Sequence, residues 1–341
     1  MFRRQRLKAI LLIILTFATC SIVQGCDKTT NTGKGAYIAM KTYYIGRFSL
    51  AVPAEMKRDE CTSKFRHVEI EETVWPMDVG HEQARYAEWD KFMTKIKKLP
   101  PPDGTDKVII RVQDFPGVGQ WAKGAFYHRD GDAADEATWS LLLDTGTVGV
   151  LFKGRSVLVE KENKSHLMLN NINNLCESYH NTDTNASNPM ENSFYLQHGM
   201  INLPYSWQEE SYASFKGHAL NLNLSIKMQM DIGHYRETMG LIEGTKGMID
   251  DASREPGISF SIVRLGKREV AGMKGEESIL RASDNDKKSL LFAWEFNGKE
   301  DSGEYPTTTI EMEAPDGKLD EKIAIWDAVL DSMKPMFERK K

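Results

Sequence analysis

The residues best suited to covalent or metal chemistry in this chain are few and poorly grouped. Gly80-His81-Glu82-Gln83-Ala84-Arg85 begins like the helix of a zinc protease, but Arg85 stands where a second histidine would complete the metal pair. No G-x-S-x-G segment supplies the nucleophile elbow of a lipase or esterase, and no G-x-x-x-x-G-K-S/T segment supplies a phosphate loop. The eight histidines are scattered without ligand spacing. Pro116-Gly117-Val118-Gly119-Gln120 is glycine-rich, yet it lies between strand-like runs, where a bulged hairpin turn is the better reading. Asp130, Asp132, Asp135 and Glu136 crowd one acidic stretch, but calcium-loop spacing and its closing glutamate are missing, which favours a solvated hairpin loop. These residues point to no enzyme, no metal and no cofactor, and leave binding as the chemistry to be positioned.

The N-terminus is a targeting segment. Arg3, Arg4, Arg6 and Lys8 precede an apolar run from Ala9 to Ala18, too short for a mature membrane span and shaped like a secretory signal. It ends in Ser21-Ile22-Val23-Gln24-Gly25-Cys26, which resembles a bacterial lipobox, with Gln24 departing from the usual small residue. The expectation is a signal over 1–25, a lipid on Cys26 and a tether over 26–42; plain cleavage to a soluble product is the alternative. Asp27 resembles an inner-membrane retention signal.

Removal of the signal leaves 40 Lys and Arg against 49 Asp and Glu, an acidic balance that argues against nucleic acid. Cys20 leaves with the signal and Cys26 takes the lipid, so Cys61 and Cys176 remain. In an oxidising compartment they read as one disulfide closing a long loop, worth about 4–5 kcal/mol in the chain-entropy picture, or else as two buried thiols.

The rest of the chain reads as two similar halves. Residues 45–53 and 198–204 are short alternating strands that stop at a proline. Residues 111–124 and 264–275 each run from an arginine-ended strand through a glycine-bearing turn into another strand. Each half also carries an earlier helix, at Glu82 to Lys97 and Gly233 to Ile249, and a closing helix. Met168, Ile172, Leu175 and Tyr179 line the first closing helix; Ile323, Trp326, Leu330 and Met333 line the second. The polar run from Asn181 to Pro189 has linker composition. The predicted architecture is α+β: two duplicated domains, 43–180 and 193–341, joined by a linker over 181–192. Each would be an antiparallel sheet with helices on one face, the pair forming a claw or cleft.

Residues 258–282, ISFSIVRLGKREVAGMKGEESILRA, resemble the C-terminal domain of the type VI secretion immunity proteins that neutralise phospholipase effectors. The likeness continues through Ala293-Trp294-Glu295-Phe296 and the helix from Ile325 to Met333. The first half is similar through Phe48-Ser49-Leu50-Ala51-Val52-Pro53 and the Cys61 region.

The resemblance implies a periplasmic binding protein, not an enzyme. Its partner would be a phospholipase effector held as a heterodimer, with the effector's active-site entrance occluded and a lipid anchor on the envelope membrane. Arg264, Gly272, Gly275, Glu276 and Glu277 are expected to serve the fold, with Arg264 pairing Glu276 or Glu277 across strands. Effector contact is assigned to Trp75 and its loop to Gly80, and to Asp130, Asp132, Asp135 and Glu136; Trp75 reads equally as core. A hydrolase lacks its nucleophile and base here. The second reading is an envelope lipoprotein that carries lipid or acts as a chaperone.

Overall fold

The computed structural model describes residues 38–338 except 120, 160–161, 164, 183–191, 206–207, 231–239, 253, 286 and 301. The signal, Cys26, most of the tether, most of the linker at 181–192 and the start of the helix expected from Gly233 lie outside the described residues.

The first half runs β1 (Met40–Ile45), β2 (Phe48–Pro53), β3 (Lys57–Phe65), β4 (Val68–Val74), α1 (His81–Ile96), β5 (Ile109–Asp114), β6 (Trp121–Tyr127), β7 (Glu136–Asp144), β8 (Val148–Val159), β9 (Glu162–Asn163) and α2 (Ser165–Ser178). The second runs β10 (Tyr179–Asn181), β11 (Phe194–Tyr195), β12 (Gly199–Ile201), β13 (Glu209–Lys216), β14 (Asn223–Gln229), α3 (Leu241–Ala252), β15 (Ile258–Val270), β16 (Met273–Asp284), β17 (Lys287–Asn297), β18 (Thr307–Pro315), α4 (Leu319–Ser332) and β19 (Lys334–Pro335). All pairings are antiparallel, giving the expected α+β class.

One sheet crosses both halves. Among the described residues its order is β15-β16-β17-β18-β14-β13-β3-β4-β8-β7-β6-β5, with β9 beside β8. Outward from the central β13–β3 pair, each half repeats one order: first strand, second, sixth, fifth, fourth, third. The cut at 181–192 therefore does not separate two sheets, because Ser211 pairs with Ser63 and Tyr212 with Thr62 across it.

Helices cover both faces of this sheet, not one. On β7, Trp139, Leu141 and Leu143 face α2 in a cluster with Phe152, Ile172 and Leu175. Leu142 points the other way, into a cluster with Ala125, Tyr127 and the α1 residues Trp89, Phe92 and Ile96. That is why Trp139-Ser-Leu-Leu-Leu143 reads as a continuous buried run and not as an alternation. In the second half α4 joins the face of α2, packing Trp326, Val329 and Leu330 on Phe292, Trp294 and Ile310. On the opposite face Thr245 of α3 bonds Ser278 of β16 at 3.2 Å.

The opening hairpins change sides. β1–β2 lies on the second half, with Phe48, Leu50 and Val52 buried among Leu224, Ile226 and Val329, and β2 pairs with β19 at the C-terminus. Conversely β11–β12 lies on the first half, with Phe194, Leu196 and Ile201 buried among Phe152, Ile172 and Leu175, and β12 pairs with β10. The two exchanged hairpins meet at a Gly46–Tyr195 bridge, with backbone bonds of 3.0 and 2.7 Å. Neither half closes its core without residues of the other.

Cys61 and Cys176 are both free thiols, so the expected bridge is not formed. Cys176 on α2 sits in the apolar cluster beneath that helix, and Cys61 on β3 sits opposite Ala213 in the central sheet. Burial raises the pKa of both thiols above the ordinary value, most strongly at Cys176.

Candidate partner-binding face

The face that carries α1 and α3 has those helices only towards its two ends. Between them, among the described residues, the central strands present polar side chains to solvent: Lys64, Glu69, Glu71, Glu210, Tyr212 and Lys227. Lys153 reaches Glu71 at 2.5 Å and Lys64 reaches Glu210 at 3.7 Å, so part of this charge is paired along the surface. The opposite face of the same strands carries the core, which leaves this polar surface between the two helices open to a partner.

The trough is deepest where β3 and β4 separate. Their hairpin is paired only at Ser63–Ile70, Lys64–Glu69 and Phe65–Val68. Further along, β3 follows β13 and β4 follows β8. A register shift between Ala213 and Phe215, where the Glu60 amide donates to Ser214 Oγ instead of a carbonyl, bends β3 away. The result is a cavity of about 260 Å³ lined by Cys61, Ser63, Ile70, Glu69, Tyr212 and Lys227 among others.

Trp75 is not an exposed anchor. It is 5 % exposed, and its indole N–H donates to Asp144 Oδ1 at 2.9 Å. Asp144 Oδ1 also accepts the Gly146 amide at 2.8 Å, and Oδ2 faces His81 Nδ1 and Arg85 Nη1, each at 3.0 Å. Burial raises the Asp144 carboxyl, but the bonds from His81, Trp75, Gly146 and Arg85 outweigh it and hold the pKa below its ordinary value. Arg85, the residue that breaks the zinc pattern, thus anchors the start of α1. The exposed large apolar residue of this loop is Met77, fully open to solvent, and Val74 before it is half-exposed.

The acidic stretch divides. Asp132 is buried, accepting the Arg129 amide at 2.7 Å and facing Arg155 at 3.2 Å, and Glu136 bonds the same Arg155. These two side chains close the β6–β7 turn and are spent on the fold; Asp130 and Asp135 are exposed. No group of His, Cys, Asp or Glu among the described residues is arranged to hold a metal ion.

Residues 187–336 match the family described as Tle cognate immunity protein 4 C-terminal domain. That stretch is similar to an immunity-protein domain. No curated protein sequence matches the chain. Three solved structures share its fold. The apo T6SS immunity protein TplEi of Pseudomonas aeruginosa is 18 % identical, with a TM-score of 0.69 over 87 % of this chain and 97 % of its own. TplEi complexed with "L" peptide is 17 % identical, with a TM-score of 0.65 over 87 % and 98 %. The Tle4–Tli4 complex contains a chain 17 % identical, with a TM-score of 0.70 over 87 % and 97 %. At these identities the likeness establishes the fold.

Inside the matched stretch, the motif residues hold strands to helix. Ala271 and Gly272, with φ of 49° and 72°, form the two-residue turn between β15 and β16. A side chain on Gly275 would lie 2.5 Å from the Glu295 carbonyl and 2.7 Å from the Trp294 ring, so the close approach of β17 requires glycine. Glu277 accepts from Trp326 Nε1 at 2.7 Å, Arg268 at 3.0 Å and Arg264 at 3.3 Å. Both arginines also bind Asp327, Arg264 through two nitrogens at 2.7 and 3.2 Å, and these contacts outweigh burial to hold the Asp327 carboxyl low. Glu276 points to the other face and accepts the Ile242 amide at 2.9 Å, at the start of α3. The two adjacent glutamates therefore pin one helix on each face. Arg268 and Asp327 had no assigned role in the sequence; their spacing from Arg264 and Trp326 was the available signal.

Proposed function

We propose that this protein is a periplasmic immunity protein that binds a cognate T6SS phospholipase effector one to one and blocks its active-site entrance with the trough between α1 and α3. The carrying observation is the match of residues 187–336 to an immunity domain within a fold similar to TplEi and to the Tle4–Tli4 complex. Other features agree. The repeated strand order on either side of β13–β3 supports an origin by duplication, and the helices flanking the open trough support a claw. A stable grip needs on the order of 1,600 Å² of buried surface, which a trough spanning six strands can offer.

Export over residues 1–25 and a lipid on Cys26 belong to the same proposal. A tethered inhibitor is concentrated at the surface where a phospholipase acts, as effective concentration requires. No helix among the described residues is long and apolar enough to cross a membrane. The test is co-expression of a periplasmically targeted cognate T6SS phospholipase effector, with and without the full protein. Rescue of growth is expected; equal killing in both cases overturns the reading.

A further inference from the structure

We propose that the cleft between β3 and β4 receives an extended segment of the effector as an inserted strand. The inference rests on the immunity reading and adds a mode of recognition to it.

Hairpin geometry fixes which backbone groups face the cleft. Arg66 and His67, with φ of 50° and 64°, form a two-residue turn, so Phe65 and Val68 exchange both ladder bonds. The alternation then gives Ser63 and Ile70 the next such pair, and Cys61 and Glu72 would make the third. They do not pair, and neither does Val74 further along β4. Their N–H and C=O groups point into the cleft, while the other edge of β4 is paired with β8 from Val68–Gly154 to Val74–Val148. By contrast, the hairpin at the matching position of the second half, β13–β14, is paired at six positions from Glu210–Gln229 to Phe215–Leu224.

The gap is held open on both sides. β3 is fixed to β13 and bent by its bulge. β4 is fixed to β8, and the Glu72 side chain is locked behind the sheet by Tyr179 Oη at 2.6 Å and by the Gln197 and His198 amides at 2.8 Å each. Unpaired edges flanking a standing gap are the arrangement that a third strand completes, its main chain supplying affinity and its alternate side chains specificity.

The lining states the ligand's chemistry. Side chains pointing inward would meet Cys61, Ser63 and Ser211, so small residues fit. Of the outward charges, Glu71 is paired with Lys153 and Glu210 with Lys64, which leaves Glu69 on β4 beside the cleft and Lys227 two strands away on β14, so a basic residue fits over β4. The occupant is thus an extended segment alternating small and basic residues.

The experiment uses the full exported chain and a cognate T6SS phospholipase effector, the lipase. Hydrogen exchange at the Cys61, Glu72 and Val74 amides, and alkylation of Cys61 by iodoacetamide, are measured with and without saturating lipase. Both are expected to slow tenfold or more in the complex. Val74→Pro, which removes a cleft-facing N–H and spares the β4–β8 ladder, is expected to weaken lipase binding at least tenfold with an unchanged melting temperature. A complex that forms while all three amides and Cys61 keep their free rates overturns the inserted strand and leaves the immunity reading standing. Failure to form any complex overturns both.

Discussion

Arg47 and Glu209 form a buried two-pronged ion pair, Nε to Oε2 at 2.6 Å and Nη2 to Oε1 at 2.7 Å. Arg47 sits in the turn of the exchanged β1–β2 hairpin and Glu209 opens β13, the strand that joins the two halves of the sheet. Arg47 also donates to the Leu203 carbonyl at 3.0 Å and to the Asn192 carbonyl, and its own carbonyl accepts the Met336 amide. One residue therefore ties the β1–β2 turn, the segments leading into β11 and β13, and the stretch after β19.

Removing one member of such a pair strands the other charge. Arg47→Met is expected to lower stability by about 3–5 kcal/mol, read as a shift in the urea midpoint at constant slope. A change under about 1 kcal/mol would show that the pair lies outside the cooperative core.

The hairpin exchange predicts that the matched immunity stretch does not fold alone. A fragment of residues 187–336 lacks Phe48, Leu50 and Val52 over its core. It should show poorly protected amides and bind apolar dyes, and regain protection when residues 38–182 are added in trans. A cooperative melt of the isolated fragment would contradict the exchange.

Two carboxyls give opposite pH signatures. Asp144 is held below its ordinary pKa, so its contribution is present above the unfolded value near 4 and is lost as pH falls through the lower folded value. Asp144→Asn should cost about 3–5 kcal/mol at pH 7 and less below pH 3. Glu313 is raised, first by burial and then by Glu311, so ionising it opposes folding as pH rises through that higher value. Glu313→Gln should therefore stabilise at pH 7 and change little at pH 3. Thermal melts across that range check both signs.

The β15–β17 motif offers a paired test. Gly275→Ala drives a methyl against the Glu295 carbonyl and should cost about 3 kcal/mol. Ala271→Gly relieves a left-handed backbone and should gain about 1 kcal/mol. Denaturation midpoints of the two variants should move in opposite directions.

The α+β class, the helix faces and most strands were legible because burial wrote a period into them: Ile172, Leu175 and Tyr179, or Trp326, Leu330 and Met333, are buried as their spacing requires. The shared sheet was not legible, since Ser211–Ser63 and Tyr212–Thr62 are backbone pairings with no side-chain signature. The exchanged hairpins were hidden for the same reason: Phe48-Ser-Leu-Ala-Val-Pro53 announces a strand without saying whose core it covers. Asp132 looked available, and Trp75 read equally as anchor or core, because loop position suggests exposure, whereas Arg155 and Asp144 draw them inward. Glu277 was readable as a fold residue, but its indole partner Trp326 lies 49 positions away.

The most direct test of the account titrates a purified cognate phospholipase effector, acting on phospholipid vesicles, with the full exported protein. Hydrolysis should fall in proportion to added protein and cease at one equivalent. Glu69→Lys in the open trough should weaken inhibition, and Asp331→Ala on the opposite face should leave it intact. Undiminished hydrolysis in the presence of excess protein would contradict the account.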